Sequence, residues 1–427
     1  MHASHDLSFA GSPKHNSRLG SEASRPQLGK IFVTLWITSV AIALMWTLAA
    51  APAIAAVLPT DLEAKIDAGY QPADADERAI WQNLEALEEA LQTSPQRLIA
   101  PQLEAFTHGV VERLIGRPAP ELRIYLMRDA SFNAAMLPSG MMIVNTGVLA
   151  RVRDEAQFAA VLGHEAAHYL RRHSLDRFHE VRRKVALVEK ANASAQGGVY
   201  NWSLLSQAIL MSVFKFSRDQ ELEADAFGML MLARAGYPPR AASTMCAQLL
   251  DERRASAAGR HRRYRDPASF GLSTHPPTQA RIIDLADTAD FLAGRVEVEQ
   301  GARRDDWKSV IEPHLAMLLR EQIYLNDPGA SLYLLEGLAK DGWTGLLRFN
   351  EGEVYRLRNE DGDDLRAATA YAAATGLPDA PPEAWRARGY ALLRGGSRIE
   401  AQAALNRYLA MRPQAPDAAM VSFTLSQ

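Results

Sequence analysis

Residues 164–168 read His-Glu-Ala-Ala-His, and this spacing constrains the fold more than any other feature of the chain. Two histidines four positions apart share a face only on a helix, whose 3.6-residue period returns a side chain to nearly the same direction one turn on. So arranged, two neutral imidazole nitrogens can bind one Zn²⁺ at roughly 2.0–2.1 Å. Glu165 is rotated about 100° from His164. It therefore stands beside such a metal without ligating it and can take a proton from the water held there. The flanks agree with a helix: Asp154 and Glu155 fall early, Phe158, Val161 and Leu162 follow at helical spacing, and Arg171 and Arg172 come near the end. The plain alternative is a helix that carries these residues by coincidence.

A hydrolytic zinc site takes three protein ligands and keeps one position open. One class places a third histidine six residues after the second, with a glycine between them. Those positions hold Ser174 and Arg171, which excludes that class. His173 and His179 fall out of phase with the face of His164 and His168 and are read as solvated. The better candidate lies in FSRDQELEADAFGMLMLARAGYPP, where Glu221 and Asp225 are again four apart on a helical stretch that ends at Gly236 before Pro238. A second, antiparallel helix would bring Glu221 to the metal, and Asp225 could accept a hydrogen bond from a ligand imidazole. The same residues also fit an acidic, solvated helix face, because Glu221, Glu223 and Asp225 alternate with apolar ones.

VLGHEAAHYLRRH, then SRDQELEADAFG, then AGY resemble the gluzincin metallopeptidases that include the CAAX prenyl protease and HtpX. The similarity extends to NAAMLPSGMMIVNTGVL at 133–149 and STHPPTQARI at 273–282, and covers residues 95–290. The resemblance implies a zinc peptidase with one Zn²⁺ on His164, His168 and Glu221, with Glu165 as general base and Asp225 behind a ligand imidazole. With helical repeats after the peptidase, the chain is most similar to the periplasmic barrel-assembly-enhancing branch. There the histidine matching His275 can take the fourth zinc position and hold the enzyme off, so the resemblance implies that role for His275, against a structural role in its proline-rich turn. An imidazole in that position would displace the nucleophilic water.

Pro138 and Gly140 bound a β-rich run from Met141 to Asn145, closed by Thr146 and Gly147. We read it as an exposed edge strand near the metal, able to pair with an extended substrate through main-chain hydrogen bonds. An ordinary sheet strand is the plainer reading, and the two are compatible.

Residues 31–58 carry no charge and follow Arg18, Arg25 and Lys30, and Ala53-Ile54-Ala55 offers a cleavage site. That is the pattern of a signal peptide over residues 1–55, with a retained anchor over 31–50 as the alternative, because the stretch could also span a bilayer. The catalytic part is expected to be exported in either case, to the periplasm or anchored in the inner membrane facing it. The single cysteine, Cys246, permits no internal disulfide, so stability must come from a packed core, for which 48% hydrophobic residues are ample. The net charge is −3, and removing residues 1–55, with four Lys/Arg and two Asp/Glu, leaves −5. Without a basic stripe, a nucleic-acid partner is not expected. The Arg-rich stretch 253–265 is read as a solvated loop, 192–198 as a flexible loop, and 199–217 as a buried helix beside the metal helices. For 199–217 a peripheral membrane contact is the sharper alternative.

Beyond residue 300, Trp385, Gly389, Ala401, Leu405 and Pro413 match the tetratricopeptide pattern of paired helices, with a looser copy through Gly352, Tyr355, Ala367 and Tyr371. A degenerate first unit is expected around ASLYLLEGLAKDG. The reading is thus a leader (1–55), a mainly α zincin domain with a small sheet (56–300) and helical repeats (301–427). The expected activity is hydrolysis of misfolded or stalled envelope proteins, with the repeats serving the outer-membrane barrel-assembly machinery. The rival is a chaperone or assembly factor whose repeats hold clients while the metal site stays latched.

Overall fold

A computed structural model describes residues 63–66, 69–116, 122–193, 216–265, 277–296 and 306–427. The expected leader, most of segments 192–198 and 199–217, and His275 lie outside the described residues.

Two helices, α1 (Ala75–Gln92) and α2 (Pro101–Ile115), precede three short strands: β1 (Arg123–Met127), β2 (Ala134–Met136) and β3 (Met141–Asn145). The order in the sheet is β1-β3-β2, with β3 parallel to β1 and antiparallel to β2. The run from Met141 to Asn145 is therefore a strand, but the central one, and the expectation of an exposed edge is corrected. Met141, Met142 and Val144 are fully buried. A strand covered on both faces reads as a continuous apolar run, and that pattern does not reveal how many neighbours it has. Among the described residues the edge strands are β1 and β2, the latter only three residues long. Gly140, at φ +82°, supplies the left-handed residue of the β2–β3 turn, which Leu137 closes by donating its N–H to Met141 O at 2.8 Å.

The next helices are α3 (Thr146–Arg151), α4 (Glu155–Leu170), α5 (His173–Ala193), α6 (Arg218–Arg234), α7 (Arg240–Gly259) and α8 (Gln279–Leu292). Almost every residue of α4 is buried, as befits a helix running through the core. Asp154 caps it by accepting the Gln157 N–H at 2.7 Å. Glu155, fully buried in its first turn, accepts hydrogen bonds from Arg113 and from Tyr237 Oη, both at 2.5 Å. Tyr237 thus ties the chain leaving α6 to the start of α4. α4 ends at Arg171, and Arg172, at φ +64°, turns the chain into α5. α6 opens with a reciprocal capping box between Ser217 and Gln220. α4 and α6 pack together so closely that a Cβ on Gly228 would lie 3.1 Å from His164 N and 3.2 Å from the Gly163 carbonyl carbon. α7 carries Arg253 and Arg254, so the Arg-rich segment begins as helix rather than loop, its alanines favouring continuation to Gly259.

From Trp307 the chain is helical: α9 (Trp307–Ile311), α10 (Leu315–Tyr324), α11 (Pro328–Leu338), α12 (Gly345–Arg358), α13 (Asp363–Thr375), α14 (Pro382–Arg394), α15 (Arg398–Met411) and α16 (Ala418–Ser426). The short links 359–362 and 395–397 make hairpins of α12 with α13 and of α14 with α15. Each hairpin closes on a glycine: a Cβ on Gly352 would lie 2.4 Å from the Tyr371 ring, and one on Gly389 2.6 Å from Leu405. The apolar core crosses residue 300 without a break, since Trp307, Leu319, Leu335 and Val354 belong to the same cluster as Phe158 and Leu162. The Trp307 ring centre lies 5.0 Å from that of Phe158. Buried Arg151 ties the two parts further, donating to Glu252 at 2.7 Å and to Gln322 at 2.8 Å. The fold is mainly α with a small mixed sheet. Among the described residues, no helix is long and apolar enough to cross a membrane.

Candidate metal centre

The contact at Gly163 and Gly228 sets α4 and α6 close enough for side chains one turn away to meet. His164 and His168 leave α4 with their Nε2 atoms 3.1 Å apart. Glu221, in the first turn of α6, places Oε2 3.6 Å from His164 Nε2 and Oε1 3.5 Å from His168 Nε2. Among the described residues, these three form the cluster whose donor atoms could hold a metal ion. The tetrahedral angle and bonds of roughly 2.0–2.1 Å put ligand atoms roughly 3.3 Å apart, so the observed edges suit one cation. His168 is fully buried, whereas His164 and Glu221 keep 11% and 16% of their side-chain surface exposed, so access is from the Glu221 side.

Asp225 lies one turn after Glu221, with Oδ1 2.8 Å from His164 Nδ1. Arg281, at the start of α8, donates to both oxygens of Asp225, at 2.7 and 2.9 Å. Burial works against a charge on Asp225, but Arg281 and His164 outweigh it and hold the carboxyl far below the usual carboxylate range. Against burial, Asp225 in turn pushes Arg281 further up. His164 thus presents Nδ1 to Asp225 and Nε2 to Glu221.

His173 corrects the sequence reading: it is 2% exposed, not solvated, and its Nδ1 lies 2.9 Å from His168 Nδ1. Counting its phase from His168 assumes a continuous helix, and the turn at Arg172 breaks that count. Burial lowers the His173 pKa against the pull of Glu223, whose Oε2 is 3.4 Å from His173 Nε2. Arg171 donates to the same Glu223 carboxylate. Glu223, read as a possible solvated neighbour, is thus engaged by the end of α4. His179 is part-exposed and pairs with Glu77 at 3.0 Å, away from the donor cluster. Phe216, just before the cap of α6, stacks on the His168 ring with centres 3.8 Å apart.

Glu165 is 4% exposed, inside the same buried turn of α4. Cys246 is buried, which pushes its thiol up to about 11 and keeps it protonated, a poor metal ligand. The sequence reading missed Arg281, His173 and Phe216 as neighbours of the site. Arg281 stood within STHPPTQARI without an assigned role, and the five-residue step from His168 to His173 was the one signal for the second.

Residues 98–289 match the model of peptidase family M48. Mitochondrial metalloendopeptidase OMA1 of Schizosaccharomyces pombe is 33% identical over 186 residues, 43% of this chain and 52% of that protein. OMA1 of Arabidopsis thaliana is 31% identical over 167 residues, 38% of this chain and 30% of that protein. The beta-barrel assembly-enhancing protease of Escherichia coli K12 is 25% identical over 201 residues, 44% of this chain and 39% of that protein. The matched stretch thus covers about half or less of each relative's length.

Proposed function

We propose that this chain, whose residues 98–289 carry a peptidase family M48 domain, is an exported zinc-dependent endopeptidase acting on misfolded or stalled envelope proteins. The observation that carries the reading is the convergence of two imidazole nitrogens and a carboxylate within 3.1–3.6 Å, two of them in His-Glu-Ala-Ala-His. His164, His168 and Glu221 would hold one Zn²⁺, which when bound supplies a Lewis acid for the scissile carbonyl and the attacking water. Glu165 takes a proton from that water and returns it to the leaving amine. Asp225 and Arg281 keep His164 oriented while this happens. The free edge of β2, which packs against α4, pairs with an extended peptide through main-chain hydrogen bonds, so selection depends little on side chains.

The envelope role rests on the names of the barrel-assembly-enhancing relatives and on the leader-like residues 1–55. The division into a peptidase at 56–300 and tetratricopeptide-like repeats at 301–427 is part of the same proposal, and the two glycine-closed hairpins support it. His275 is proposed as the latch over the metal. The test is zinc content and hydrolysis of an unfolded protein by wild type, Glu165→Gln and His275→Ala. One zinc per chain, with activity lost in the first variant and raised in the second, is expected. Zinc in all three without cleavage by any would hand the function to client binding by the hairpins.

A further inference from the structure

We propose that His173 is a positioning residue: its Nδ1 accepts the Nδ1–H of His168 and so holds His168 with an unprotonated Nε2 turned toward His164 and Glu221. The inference rests on reading those three residues as the metal site.

Four observations lead to it. The Nε2 of His168 faces His164 Nε2 at 3.1 Å and Glu221 Oε1 at 3.5 Å, so its useful form as a donor is a lone pair. A neutral imidazole with its lone pair on Nε2 carries its proton on Nδ1. That proton meets His173 Nδ1 at 2.9 Å, which must then be the acceptor. His173 in turn carries its own proton on Nε2, which lies 3.4 Å from Glu223 Oε2, near the anion but outside hydrogen-bonding geometry. The His168–His173 donation thus has one direction, and the Glu223 carboxylate, which Arg171 holds from the end of α4, stands beside the far edge of the His173 ring.

The two ligand imidazoles are thus backed in different ways. His164 reaches the carboxylate of Asp225 directly, and Arg281 braces it. His168 instead meets a second imidazole, with the Arg171-braced Glu223 carboxylate near that ring's far edge. The left-handed turn at Arg172 makes this possible by swinging His173 back toward α4. Gln220 steadies the position by donating to the His173 carbonyl at 3.4 Å. Phe216 covers one face of the His168 ring, leaving rotation to be fixed at its edge, where His173 sits.

The experiment measures Zn²⁺ affinity of the full chain by chelator competition, alongside the melting temperature of the metal-free protein. His173→Leu keeps an apolar volume but removes the acceptor. His173→Asn keeps a carbonyl oxygen on Cγ, where Nδ1 stood. We expect His173→Leu to weaken zinc binding about 10- to 100-fold, the usual scale for a partner behind a ligand, and His173→Asn to stay within about threefold of wild type. Should His173→Leu fail to fold, His173→Gln replaces it: its amide reaches one atom too far, and the same weakening is expected. Wild-type affinity in the Leu or Gln variant, or an Asn variant as weak as they are, would overturn the role of His173. A wild-type chain that binds no zinc would instead remove the metal-site reading, and this inference with it.

Discussion

Arg281 and His164 donate to one carboxylate, and neither can lose it without consequence. In Asp225→Asn an amide replaces the anion between two donors, and the Arg281 cation, its side chain 18% exposed, is left without that partner. A loss of roughly 3–5 kcal/mol of stability is expected from the uncompensated charge, with a further fall in zinc affinity of about 10- to 100-fold. Urea unfolding of the metal-free protein reads the first and chelator competition the second. An Asn variant that matched wild type in both would refute the bracing role. Asp363, at the start of α13, offers a test by pH. Hydrogen bonds from Arg358, then from the Glu360 N–H and Arg366, outweigh burial and hold its carboxyl far below the ordinary range. A depressed folded pKa stabilises the fold fully above the unfolded value of about 3.9 and loses that contribution as pH falls toward the folded one. Asp363→Asn should therefore lower the melting temperature at pH 7 and flatten its decline below about pH 4. An unchanged acid limb would count against this ion cluster.

At the scale of elements, the candidate metal centre depends on how near α4 and α6 can come. A Cβ on Gly228 meets backbone atoms of His164 and Gly163 at 3.1–3.2 Å, and backbone yields less readily than a side-chain end. Gly228→Val should cost about 1–3 kcal/mol as overpacking and move Glu221 away from the histidines, weakening zinc binding as well. Gly228→Ala should cost less, because alanine regains up to about 1 kcal/mol of helix propensity. Thermal unfolding with and without zinc separates the two effects. A Val variant with wild-type affinity would mean that the helices can part without disturbing their ligands. The hairpins α12–α13 and α14–α15 repeat this logic at Gly352 and Gly389, with a tyrosine ring and a leucine as the neighbours.

For the whole molecule, the decisive feature is a core that continues from α2–α7 into α9–α12. Trp307 sits among Phe106 and Phe158, and Arg151 is neutralised by Glu252 while also reaching Gln322. A chain ended at residue 300 would lose Trp307 and expose the surface that α10 and α11 cover on α3 and α7. It should unfold at a markedly lower temperature than the full chain and hold little zinc. A chain ended at residue 380 should keep its zinc, because α14–α16 lie beyond the shared core. Equal melting of the 300-residue chain and the full chain would show that the later helices merely lean on α1–α8.

Local chemistry could be read from the chain alone. The 3.6-residue period put His164 and His168 on one face and Glu221 and Asp225 on another, Asp154 and Ser217 marked where two helices start, and Gly236 with Pro238 marked where one stops. The alternation of Pro138, Gly140 and the apolar run gave β3 its bounds. Only tertiary structure decided what depends on residues far apart in the chain. It showed that β3 is flanked on both sides, because strand neighbours leave no mark in a run buried on both faces. It brought Arg281 to Asp225 across 56 positions. It returned His173 to His168, because a single left-handed residue at Arg172 ends one helical phase and begins another, and periodicity holds only while the helix does.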